Sequence, residues 1–161
     1  MRNFILLFVA ALFVGCASPG VQVTTDDEKS QAIKAAYDGY LVNDFTASNE
    51  LYSEETAIYI NSVETISNEE NLAAFSSHHD FYSDISMSRT YIQTSAYDND
   101  LGTWTHAWFV WKGTGKASGN TFEVPCHVAY QWGDDGKIAQ TWFFSDQSNH
   151  LKELAAAGVE L

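Results

Sequence analysis

Residues 103–145 read TWTHAWFVWKGTGKASGNTFEVPCHVAYQWGDDGKIAQTWFFS, and this stretch decides the fold. Runs at 103–113, 121–132 and 137–145 alternate in period two, the pattern of strands with one covered face. Thr114 to Asn120 and Gly133-Asp134-Asp135-Gly136 separate them, turn compositions at hairpin lengths or slightly longer. A further strand is expected near 85–97, joined through Asp98-Asn99-Asp100-Leu101-Gly102. The second half of the chain is therefore an antiparallel meander.

Upstream the period changes. A first helix starts near Asp26 or Asp27, with acidic residues where the helix dipole favours them. Ile33, Ala36, Tyr37, Tyr40 and Leu41 recur at helical spacing and define its buried face. Asn43-Asp44 interrupts it, and Asp44 can cap a short second helix to about Tyr52. Ala57 to Asn61 is β-prone. Ser67 and Glu70 form a capping-box pattern before a third helix, with Leu72, Phe75 and His79 on one face. Downstream, Ser145 or Asp146 caps a last helix from Gln147 to about Ala157, ending at Gly158. Helices followed by a meander make an α+β fold. Helices packed on the concave side of a curved sheet leave an internal cavity.

The N-terminus reads as an export signal over residues 1–15. Arg2 supplies a minimal charge, and the apolar run Phe4–Val14 is too short to span a bilayer as a helix. Its end, Leu12-Phe13-Val14-Gly15-Cys16, resembles a bacterial lipobox in which Cys16 is lipidated. Cleavage after Ala17 and an uncleaved anchor are the alternatives. Residues 16–26 read as a polar tether and 27–161 as the folded domain. The expected location is the cell envelope, with a lipid anchor in a membrane and the domain facing the periplasm or outside. The only other cysteine, Cys126, then lacks a disulfide partner and is expected as a small buried residue.

A net charge of −13, with eight Lys and Arg, argues against nucleic acid and anionic lipid surfaces as partners. No EF-hand or phosphate-loop spacing is present, and neither a metal nor a cofactor is expected.

From Gln31 to Leu154 the order of elements resembles the nuclear transport factor 2-like superfamily, in its SnoaL-like group. Tyr40-Leu41-Val42-Asn43-Asp44-Phe45 with Leu51-Tyr52-Ser53-Glu54-Glu55, then Asp135-Gly136-Lys137-Ile138, then Trp142-Phe143-Phe144-Ser145-Asp146, carry the likeness. The resemblance implies a cone-shaped fold with a conical pocket and frequent dimers. It implies no single activity, because this fold hosts isomerases, cyclases, hydrolases and binding modules.

Ketosteroid isomerases of the superfamily use a carboxylate base and an oxyanion hole of Tyr and neutral Asp. By the flanking motifs the base falls at Ile60, beside Asn61, and the neutral Asp at Val128. The helical Tyr falls at Ala36 or Tyr37, and an Asp that cyclases carry after the Trp falls at Phe143. The usual carboxylates are thus replaced by apolar residues. His106, between Trp104 and Trp108, and His127 are the candidate acid–base groups, with Asp146 a third candidate or simply a helix cap. Tyr37, Tyr40, Tyr59 and Tyr130 either line the cavity or belong to ordinary core. His78-His79-Asp80 reads as a water-exposed helix end, since adjacent helical residues do not face each other. The leading expectation is a domain binding a small hydrophobic molecule in an aromatic-lined pocket. An isomerase, cyclase or hydrolase using a pocket His is the second reading. A homodimer formed through the outer sheet face, with no ligand, is the third.

Overall fold

The structure is a computed structural model that describes residues 20–160. The proposed signal peptide, the lipobox and Cys16 lie outside the described residues. The strands are β1 (Gln22–Thr24), β2 (Ala57–Ile60), β3 (Thr65–Ile66), β4 (Tyr82–Ala96), β5 (Thr103–Gly115), β6 (Thr121–Trp132) and β7 (Ile138–Ser145). The helices are α1 (Glu28–Leu41), α2 (Thr46–Leu51), α3 (Asn68–Phe81) and α4 (Ser148–Ala156). One sheet holds every strand in the order β1-β4-β5-β6-β7-β2-β3, antiparallel throughout except where β2 runs parallel to β7. The α+β expectation holds.

Gln22–Thr24, expected within the polar tether 16–26, instead pairs with Thr94 to Ala96. The tether is therefore corrected: its C-terminal part belongs to the sheet. Backbone pairing needs no apolar period, which is why the composition hid it.

The sheet bends where β4 carries two irregularities, between Ser83 and Ser86 and between Ser88 and Tyr91. Asp84 and Arg89 sit there at φ 55° and 52°, so each bulge turns the strand through the left-handed region. Against the concave face lies α1. Asp27 caps it by accepting from the N–H groups of Lys29 and Ser30 at 2.9 and 3.2 Å. Asn43, at φ 58°, ends the chain's helical course soon after Leu41. Ile33, Ala36 and Tyr40 are buried, as the helical spacing predicts.

A buried hydroxyl chain closes one end of the cone. Asp27 accepts from the Ser30 hydroxyl, which bonds Thr94 at 2.9 Å. Thr94 bonds Thr105 at 2.8 Å, and the Trp132 indole donates to Thr105 at 2.8 Å. These buried polar atoms are all partnered, which offsets their desolvation.

The Ser67–Glu70 capping box forms as expected and starts α3. The last helix is fastened by Glu153, whose fully buried carboxylate accepts from Ala117 N–H at 2.7 Å and from the Ser118 hydroxyl. Burial pushes that carboxyl up, but the hydrogen bonds from Ser118 and Ala117 outweigh it and hold the group below its usual range. Gly115 is required beneath it, because a Cβ there would collide with the Glu153 carboxylate.

Candidate functional site

Between the concave sheet face and α1, α2, α3 and α4 lies a partly enclosed cavity of about 230 Å³ with mainly apolar walls. Phase in the strands decides which side chains reach it. In β5 the residues Ala107, Phe109 and Trp111 face inward, and in β6 Cys126, Val128 and Tyr130 do. Registry confirms the pairing, since Ala107 faces Val128 and Phe109 faces Cys126.

Tyr37, Tyr40, Val128, Tyr130 and Phe143 line the cavity. So does Ile60, at the position where the resemblance puts a base. Trp104, His106, Trp108, His127 and Tyr59 do not. They stand on the opposite, outer face of the sheet, and the placement of Trp104, His106, Trp108 and Tyr59 in the pocket is corrected. Period two grouped Trp104, His106 and Trp108 properly, but the hairpin register turns that group outward. His127 is in the outward phase as well, with no bulge to rotate it. On that face His106 Nδ1 and His127 Nε2 are 3.2 Å apart, their rings within 9° of parallel. Trp108 stacks beside them at 4.9 Å from His127. Tyr59 stacks on Trp142 at 3.9 Å. Burial lowers the pKa of both histidines, and for His106 the neighbouring His127 adds to it.

Asn61 is also outside the cavity. At φ 48° it accepts from Ser145 N–H through its side chain at 3.0 Å, a joint between β2 and β7. Asp146 borders the cavity, yet its Oδ1 accepts from Ser148 N–H at 2.9 Å, which holds its carboxyl below the usual range. Its position is that of a helix-start anchor.

Two polar groups in the cavity stand out. The hydroxyls of Tyr37 and Tyr130, from α1 and β6, meet at 2.9 Å. Two hydroxyls joined by one bond leave one O–H hydrogen for a further oxygen. Burial drives both phenols far above their ordinary pKa, so they stay neutral donors.

The second group was missed in the sequence. His78, read as a water-exposed helix end, lines the cavity. The Trp111 indole donates to the Tyr40 hydroxyl at 2.8 Å, and that hydroxyl lies 2.9 Å from His78 Nδ1. Burial, then His150 and His79, push the His78 imidazole down to about 4. His150 of α4 also lines the cavity and bonds the Tyr82 hydroxyl through Nδ1 at 3.0 Å. His79 is spent elsewhere, with Nε2 donating to the Tyr40 carbonyl at 2.8 Å. The available signal was spacing: Asn71, Phe75 and His78 share a helical face as well as Leu72, Phe75 and His79 do. Cys126 is buried as expected, and burial pushes its thiol up to about 11. Among the described residues no group of three or more His, Cys, Asp or Glu is placed to hold a metal ion.

No family model matches the sequence, and no curated protein does. Solved structures do match. PrhC from Penicillium brasilianum is 16% identical, with 82% of this chain and 93% of that one covered and a TM-score of 0.60. A candidate polyketide cyclase from Pseudomonas putida is 17% identical over 76% of this chain and 94% of its own, at a TM-score of 0.59. A Catenulispora acidiphila protein with a ketosteroid isomerase-like fold, in complex with trimethylamine, is 14% identical over 81% and 94%, at 0.54. At these identities the likeness is one of fold: the chain is built like the SnoaL-like and ketosteroid isomerase-like proteins.

Proposed function

We propose that this domain binds a compact, mainly apolar molecule in its internal cavity and holds one oxygen of it on the Tyr37–Tyr130 pair. The observation that carries the reading is an apolar hollow of about 230 Å³ whose inner wall holds a hydroxyl pair with a hydrogen to spare. Ligand sites combine apolar walls with a few placed polar groups, and drug-sized ligands occupy roughly 300–1,000 Å³. The ligand here is therefore small. Ile60, Val128 and Phe143, where the resemblance puts carboxylates, all border the hollow, which favours binding over the family's carboxylate chemistry. Display at the cell envelope through Cys16, and pairing of two copies through the outer face, belong to the same reading; the apolar export-like run and the exposed Trp108 and Phe144 support them.

A second reading, proton transfer by a cavity histidine, rests on His78 and its Tyr40–Trp111 support. An imidazole held at about 4 is a weak base at neutral pH, which favours the binding reading.

Thermal melts with 2-acetylnaphthalene and with naphthalene test the proposal. The ketone should raise Tm more than the hydrocarbon, and Tyr37→Phe with Tyr130→Phe should erase the difference, a loss of about tenfold in affinity for one hydrogen bond. Equal response to both compounds in the unaltered protein removes the role given to the hydroxyl pair.

A further inference from the structure

We propose that the ligand is a weak organic acid, its carboxylate, phenolate or enolate oxygen held by the Nε2 atoms of His78 and His150. This rests on the binding reading above and adds the chemistry of the ligand's second polar end.

The two imidazoles come from α3 and α4 and pack edge to face at the cavity wall, ring centres 5.2 Å apart. Each has its Nδ1 committed, His78 to Tyr40 and His150 to Tyr82. The Tyr40 oxygen accepts the Trp111 N–H, and its own hydrogen is assigned here to His78 Nδ1. With that assignment the hydrogen of neutral His78 sits on Nε2, as a donor. No hydrogen bond engages either Nε2 among the described residues. Glu153 anchors α4 to Ala117 and Ser118, so His150 is held in place before any ligand arrives. An oxygen with several lone pairs can take hydrogen bonds from two neighbouring ring nitrogens that no protein group engages.

The titratable groups around the pair are few. Tyr40 faces His78 from α1, His79 adjoins it on α3, and Tyr82 faces both rings from β4. Glu153 lies behind His150 on α4, and Asp146 stands at the cavity border with its Oδ1 on Ser148 N–H. Burial keeps Tyr82 protonated, pushed up to about 12, and keeps both imidazoles neutral at pH 7. An anion entering this site therefore draws in a proton, and the Glu153 carboxylate favours the resulting imidazolium on His150. The net charge of −13 acts from a distance and is screened beyond about 10 Å in ordinary salt.

Isothermal titration of the purified protein with naphthalene-2-carboxylate and naphthalene-2-carboxamide tests this. The acid should bind about tenfold or more tighter than the amide at pH 6, as a charge-assisted hydrogen bond implies. Its heat should differ between phosphate and Tris buffers in the sense of proton uptake, and its affinity should fall toward pH 8. His78→Gln or His150→Gln should bring the acid down to the amide's level. Equal affinity for the two compounds without proton uptake overturns the acid assignment and leaves the binding reading in place. Binding of neither overturns both. The comparison in the unaltered protein carries the test even where a variant does not fold.

Discussion

The same sheet presents aromatic residues on both faces, and the two faces use them differently. On the concave face Phe109, Trp111 and Tyr130 meet helices, and their rings pack edge-on, as Tyr37 does on Phe109 at 65° and Tyr82 on Trp111 at 84°. On the convex face the rings lie nearly parallel, Tyr59 on Trp142 at 9° and Trp108 on His127 at 11°. Edge-on packing fills three dimensions and leaves a shaped hollow. Parallel packing follows from cross-strand neighbours standing side by side, and it builds a surface with no interior. Aromatic content therefore locates a sheet but does not tell which side holds the cavity.

The largest test of this contrast is a pair of truncations. Ile58 is 0% exposed on the cavity side, and Phe144 is 47% exposed on the outer side. Ile58→Ala should cost about 2–5 kcal/mol in urea unfolding. Phe144→Ala should cost under about 1 kcal/mol, since little of the ring leaves water on folding. Similar costs at the two sites would break the distinction.

Acid sharpens it next. An unfolded His78 takes a proton below its ordinary 6.5, whereas the folded one resists until about 4. The unfolded state therefore binds more protons in that window, and the stability present above pH 6.5 drains away as pH falls toward 4. The full effect is about 3 kcal/mol. His78→Gln should flatten the acid side of the stability profile by that order. His106→Gln should flatten it much less, because the outer pair is partly open to solvent.

The last contrast is Trp108→Asp on the outer face, where the ring is 37% exposed and packs on Tyr91, His106 and His127. Its readout is association. Light scattering should show paired copies of the unaltered protein separating into single chains in the variant. A mass unchanged by the substitution argues against pairing through this face.

Much of the fold was legible. The capping box at Ser67, the buried face of α1 and the strands of the meander follow from period and end signals in the chain itself. The candidate site was legible only in part, and the reason is register. Val128 and His106 were both assigned to the pocket, yet directly opposed residues share a face, and Val128 is opposed by Ala107. One residue of register between β5 and β6 separates a histidine in the cavity from a histidine on the surface. The loop Thr114 to Asn120 sets that register, and its composition allows more than one turn. His78 and His150 were hidden for another reason. They meet only when α3 and α4, far apart in the chain, dock on the same opening.

The sheet terminates on one side in β1, three residues long, and on the other in β3, two residues long. Long unpaired borders are what let foreign strands add on, and stubs this short offer almost no template for zipping chains together. Before Thr94 the border of β4 is not covered by β1, and there the irregularities at Ser83–Ser86 and Ser88–Tyr91 break the template instead.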